Sequence, residues 1–280
     1  MPTFDTPEAI EATARVDAGS IRFTASERTD TVVEVRPRDP GKSVDTRTVE
    51  QTEVGYARGA LTIRTPRSSP FGRTGTVDVS VELPTGSRID VSGAWTQVLG
   101  EGRLGEVRVK TSSGDTRFEA TGPLHLTASH GSITVERVEG KAEITTSTGS
   151  LRLGLIDGPA VLKNSHGSTT VDGVAGELRV SNANGDIEIR RAADSVTATT
   201  AHGTIRVDEV TRGTVQLETA HGAIEIGVRE GTAAWLDVSA GSGQVHNTLT
   251  AAKTPDRTEE TVTIRARTRH GNIHVSRARP

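Results

Sequence analysis

A glycine recurs at nearly constant spacing through the second half of this chain, and no other feature limits the fold as tightly. The segments SSGDT, SHGSI, STGSL, SHGST, ANGDI, AHGTI and AHGAI carry Gly114, Gly131, Gly149, Gly167, Gly185, Gly203 and Gly222, at steps of 17, 18, 18, 18, 18 and 19 residues. Looser copies follow at Gly243 and Gly271. A fixed period of this kind marks a repeat architecture. Apolar positions keep register with the glycines. After Gly131 they are Ile133, Val135, Val138, Ala142 and Ile144; after Gly149 they are Leu151, Leu153, Ile156, Ala160 and Leu162. The next copies hold Thr169, Val171, Val174, Leu178 and Val180, then Ile187, Ile189, Ala192, Val196 and Ala198. Each copy thus contains two alternating segments, the pattern of strands with one buried face. Glu136, Arg152, Glu188, Arg190, Arg206 and Glu225 fall between these positions and belong outside. A second turn falls midway, often at glycine, as at Gly122, Gly140, Gly158, Gly176 and Gly231.

Two strands and two turns per copy fit either a β-solenoid or an antiparallel meander with a hairpin at each glycine, for which Asn184-Gly185 is a good dipeptide. The solenoid is favoured. A long meander leaves one apolar face uncovered, whereas a coil sets its two apolar faces against each other and stacks equivalent residues about 4.8 Å apart. Ile133, Leu151, Thr169, Ile187 and Ile205 are then expected in one column. The fold class is all-β, a parallel β-helix-like solenoid with a β-rich N-terminal cap region.

Composition agrees. Aromatic residues make up 2% of the 280 residues, so the core must be built from Val, Ile, Leu and Ala, which suit regular strand layers. The absence of cysteine excludes disulfides, thiolate nucleophiles, zinc ribbons and iron–sulfur clusters. A net charge of −3 gives no strong nucleic-acid signal. Met1 to Val16 lacks the basic and apolar regions of a signal peptide, and no apolar run reaches transmembrane length. Those observations point to the cytoplasm, with an extracellular location left open.

Three regions are expected: residues 1–90 as the cap region, 91–247 as the solenoid repeats, and 248–280 as a loop and terminal strand pair. Within the first, strands are expected at Gly19 to Phe23, Thr31 to Val35, Leu61 to Ile63 and Val77 to Val81. Arg38 to Thr48 and Arg64 to Gly75 read as loops. Residues 91–113 read as an irregular first coil holding Trp95, Val98, Val107 and Val109. Ala251 to Glu260 reads as a polar loop before strands at Val262 to Ile264 and Ile273 to Val275. No segment shows a convincing helix; Thr6-Pro-Glu-Ala-Ile resembles a helix cap but runs at once into β-type sequence.

Four patterns could carry chemistry. His130, His166, His202, His221 and His270 precede repeat glycines, with Ser113, Thr148, Asn184 and Ser242 at the same place in other copies. On adjacent coils two such histidines could share a metal. The weightier reading is conformational, because His and Asn tolerate the positive φ that residues at such turns often need. Ser129-His130 and Ser165-His166 do not make a triad, which needs groups converging from different elements. Asp115, Asp186 and Asp208 are read as sitting in different parts of the register and forming no row, so a carbohydrate-cleaving site has no acid cluster. Arg265, Arg267, Arg269, Arg277 and Arg279 make the C-terminus basic; the first three alternate, as charges that guard an edge strand would. Calcium-binding nonapeptide, Walker and dinucleotide motifs are missing. The sequence therefore nominates no catalytic, cofactor-binding or metal-binding residue.

The repeats SHGSITVERVEGKAEITTSTGSLRL and SNANGDIEIRRAADSVTATTAHGTIRV resemble a bacterial adhesin-type family of unknown function whose repeat region is called a toast-rack domain. The opening VDAGSIRFTASERTDTVVEVRPRDP looks like its actinobacterial members. The resemblance covers nearly the whole chain and implies a strand-repeat solenoid without known catalytic residues. The functional expectation is a non-catalytic interaction or scaffold module for a protein or polymer partner. Self-assembly into a polymer is the alternative, with self-association as its partner; a polysaccharide-active enzyme ranks last.

Overall fold

The computed structural model describes residues 1–66, 75–250 and 260–278. The chain forms two compact units, Met1–Glu139 and Gly140–Pro280. Strands dominate both. No helix among the described residues is long and apolar enough to cross a membrane.

The first unit runs β1 (Thr3–Asp5), β2 (Glu11–Arg15), β3 (Ala18–Ser26), β4 (Asp30–Pro37), α1 (Ser43–Glu50), β5 (Glu53–Ala57), β6 (Ala60–Arg64), β7 (Val77–Pro84), β8 (Arg88–Arg103), β9 (Val107–Ser113), β10 (Thr116–Thr121), β11 (Leu124–His130) and β12 (Ile133–Val138). All four strands expected in its first 90 residues are present. One sheet has the order β5-β6-β2-β8-β9-β11, and the other β1-β4-β7-β3-β8-β10-β12. The long β8 serves both, its first half beside β2 and β9 and its second beside β3 and β10. Pairing is parallel except at β1–β4, β4–β7 and the β5–β6 hairpin.

Two expectations fail here. Val98, Val107 and Val109 are buried, but Trp95, where β8 passes from one sheet to the other, is 72% exposed. The segment read as a loop from Arg38 holds α1. Its buried positions are Asp45 and Thr48 rather than apolar residues, so hydrophobic periodicity passes over it. The Asp45 carboxylate accepts backbone N–H groups from Asp39 at 3.2 Å and Thr76 at 2.9 Å, which ties the helix to the start of β7. The rest of the second expected loop, 67–74, lies outside the described residues.

The second unit is a regular solenoid: β13 (Ala142–Thr148), β14 (Leu151–Ile156), β15 (Ala160–His166), β16 (Thr169–Val174), β17 (Leu178–Asn184), β18 (Ile187–Ala192), β19 (Val196–His202), β20 (Ile205–Val210), β21 (Gly213–His221), β22 (Ile224–Val228), β23 (Ala233–Ser242), β24 (Val245–Asn247), β25 (Thr261–His270) and β26 (Ile273–Arg277). Odd-numbered strands form one parallel sheet and even-numbered strands the other. Leu151, Thr169, Ile187, Ile205, Ile224 and Ile273 stack in one column, each fully buried. Thr169 interrupts it without cost in hydrogen bonds, because its hydroxyl lies 3.1 Å from the buried Asn182 Oδ1.

The coils do not stack in chain order. β25 lies between β21 and β23, and β26 between β22 and β24. The chain passes over one position after β22, lays down β23 and β24, then returns to fill the gap. Arg277 holds the crossing, donating to the carbonyls of Arg229 and Thr232 at 2.9 Å each. The first unit shows the same device, with β2 lying between β6 and β8, and β3 between β7 and β8. Of the loop expected at Ala251 to Glu260, residues 251–259 lie outside the described residues.

Candidate interaction surface

Each corner is built around its glycine. Gly185 has φ 137° and Gly203 φ 149°, values that side chains rarely adopt. A Cβ on Gly203 would also collide with the Gly185 carbonyl one coil away. The residue before the glycine needs no such freedom: among the described residues the sole non-glycine with positive φ is Arg58. The conformational reading of the histidines is thus corrected, since the glycine itself absorbs the unusual φ. Thr148, His166, Asn184, His202, His221, His270 and Ser242 instead form a row of cross-strand neighbours along the outside of the corner. His202 stacks on His221, and His221 on His270, with ring centroids 4.8 Å apart.

Sequence reasoning missed a second corner element, three residues before five of the repeat glycines. Asn164, Asn182, Thr200, Thr219 and Thr268 are buried there and donate to corner carbonyls. The Asn182 amide reaches Gly167 O at 3.2 Å, Thr219 reaches Gly203 O at 3.1 Å, and Thr268 reaches Gly222 O at 3.0 Å. A carbonyl turned into a tight bend would otherwise lack a partner, which is costly when buried. The signal is legible as a Thr/Asn column in register with the glycines, but a scan for apolar residues skips it.

The acids follow a corner rule as well. Asp115 and Asp186 each come directly after a repeat glycine, so the expectation that they share no register position is wrong. Asp115 accepts the Ser132 N–H at 2.8 Å and Asp186 the Thr204 N–H at 2.7 Å, each joining one coil to the next. Asp208 lies elsewhere, paired with Arg206 at 2.7 Å. Ser165 and His166 are consecutive exposed corner residues. Among the described residues no group of three His, Asp or Glu is placed to hold a metal ion.

The C-terminal arginines also move. Arg265, Arg267 and Arg269 do share one face, but β25 has a neighbour on both sides and is no edge strand. Arg267 pairs with Asp237 across to β23 at 3.3 Å. Arg277 holds the crossing turn, and Arg279 lies outside the described residues.

The face with the most chemistry is the outside of β20, β22, β26 and β24. Arg152, Thr170, Glu188, Arg206, Glu225, His274 and His246 form a straight row, all three residues beyond a repeat glycine. His246 and His274 stack with centroids 4.9 Å apart. Arg206 pairs with Asp208 and lies 3.5 Å from Glu225. The Asp208 hydrogen bond, then the charges of Asp208 and Glu225, raise the Arg206 pKa, so its charge is permanent. A groove of about 480 Å³ runs along this end of the row, lined by Arg206, Asp208, Glu225, His246, His274 and Arg277 among others. It offers both charge signs and two imidazoles, a surface suited to polar recognition and not to enclosing an apolar molecule.

A family model described as Toastrack DUF4097 matches residues 13–276. No curated protein matches the chain. Several solved structures are similar over most of its length. A "putative adhesin" of Bacteroides fragilis shares 14% identity, covers 98% of this chain and 95% of its own, and superposes with a TM-score of 0.37. One from Parabacteroides merdae shares 15%, covering 80% and 93%, with a TM-score of 0.43. A "putative lipid binding protein" of Parabacteroides distasonis shares 9%, covering 99% and 96%, at 0.30.

Proposed function

This chain belongs to the Toastrack DUF4097 family, and we propose that it is a non-catalytic interaction module. Its partner is a protein or polymer with polar groups of both charge signs. The observation that carries this reading is the row from Arg152 to His246 and the groove beside it: basic, acidic and imidazole side chains at fixed spacing, held on a sheet. A preordered surface loses little conformational freedom on binding, which favours affinity. In this reading residues 1–90 are the cap region, and residues 91–247 and 248–280 supply the repeat surface and its terminal strand pair.

Photo-crosslinking tests it. A benzophenone group at position 274 should capture one consistent partner, and a group at Arg179 on the other sheet should not. The paired charge reversals Arg206→Glu and Glu225→Lys should abolish capture while leaving the circular dichroism spectrum unchanged. Equal capture from both positions, or none, would contradict the assignment.

A further inference from the structure

In the second unit, β23 pairs with β25 on one side, and nothing among the described residues pairs with its other edge. Ala234, Leu236, Val238 and Ala240 point inward yet remain half-buried, whereas their neighbours Val262, Ile264 and Ala266 are 0% exposed. The Ala233 N–H donates to Glu260 O at 2.9 Å, toward β25. Alternation along the strand therefore turns the N–H and C=O groups of Ala234, Leu236, Val238 and Ala240 to the free edge. Natural edges are protected by short strands, lysine, proline or inward charge. The outermost strands of the first unit, β1 and β5, are 3 and 5 residues long. β23 has 10 residues, no Lys or Pro, one charge at Asp237, and Trp235 left 66% exposed on its outer face.

We propose that a second copy of this chain covers this edge, β23 pairing antiparallel with β23 of the second copy in a twofold dimer. The strand is self-complementary in one register. With Val238 facing its own equivalent, Leu236 meets Ala240, Asp237 meets Ser239 and Trp235 meets Gly241. Large side chains face small ones, and the two carboxylates do not meet. Centring the pair on Asp237 would place them opposite each other, which is destabilising. A second copy also brings a strand already ordered and equally exposed, so two open edges are satisfied at once, whereas a flexible peptide would first have to be ordered. The dimer is independent of the groove and of the binding role assigned to it.

Sedimentation equilibrium of the full chain over a dilution series tests the proposal. The wild type should dimerise reversibly. Val238→Pro should be monomeric but folded, because the lost N–H faces the free edge, where proline is tolerated. Ser239→Asp places a carboxylate against Asp237 of the other copy and should weaken association at least about tenfold. Adding Asp237→Lys to Ser239→Asp should restore it. A wild type that is monomeric throughout would overturn the proposal, as would a dimer indifferent to these substitutions. Open-ended polymers would overturn the twofold closure, and a β23 variant that loses partner capture but not dimerisation would show the edge serving another strand.

Discussion

At Gly185 two demands meet: a φ of 137° and a backbone one coil below that leaves no room for a Cβ. Most of the residue-scale pattern follows from stacking such corners, and most of it is legible in the sequence, because the buried positions repeat as alternating apolar residues. What the pattern hides is polar. Thr200 and Asn182 are as inward as Ile187, and only the geometry of the corner carbonyls explains them. The inside and outside assignments can be tested with neighbours. Ile187→Asp buries a charge with no partner and should cost at least about 4 kcal/mol in urea unfolding. Glu188→Lys, one residue on and outward, should change stability by about 0.5 kcal/mol at most. A second residue-scale test uses pH. Burial acts to raise the Asp78 pKa, but hydrogen bonds from Arg38 at 2.7 Å and Ser20 at 2.7 Å outweigh it and hold the carboxyl below its ordinary range. A depressed folded pKa stabilises above the unfolded value and ceases to as pH falls through the folded one. The stability gap between wild type and Asp78→Asn should therefore be constant near neutrality and shrink below about pH 4.

Elements were easiest to read where their buried face is apolar. The strands of the second unit follow the glycine register closely, and so do the four early strands of the first. Helix α1 escaped because its buried face is Asp45 and Thr48. The Asp45 carboxylate satisfies two backbone donors, one before the helix and one at the start of β7, and so fixes it in place. Asp45→Ala should orphan both N–H groups and cost about 1–3 kcal/mol, measured by thermal unfolding. Asp45→Asn, which keeps one acceptor, should lose less. The outward row from Arg152 to His246 was legible in principle, as the third residue after each glycine, but charges at regular spacing read as solvated surface until the groove beside them is seen.

For the whole molecule, chain order was the illegible level. Parallel coils of near-identical length and pattern can neighbour one another in any order, so repeat spacing cannot say that β25 enters between β21 and β23. One hint remains in the residues of the second unit: Ala240 stands where its other coils carry Thr or Asn, and it belongs to the outermost coil, which stabilises a corner on one side only. Setting β25 and β26 one coil inward gives them hydrogen-bonded neighbours on both edges, so they open less readily than an outermost coil. The same arrangement in the first unit sets β2 and β3 inside β6 and β7, with neighbours on both edges. The absence of cysteine allows a direct test by disulfide trapping. Gln216 is directly opposite Arg265, whereas Asp237 lies one strand further away. A disulfide needs Cα atoms within about 7 Å, which adjacent strands meet and next-but-one strands do not. Cysteines at 216 and 265 should therefore crosslink rapidly on mild oxidation of the folded protein, and cysteines at 216 and 237 should not. Crosslinking of 216 with 237 in place of 265 would mean that the coils stack in chain order, and would contradict the interleaved solenoid.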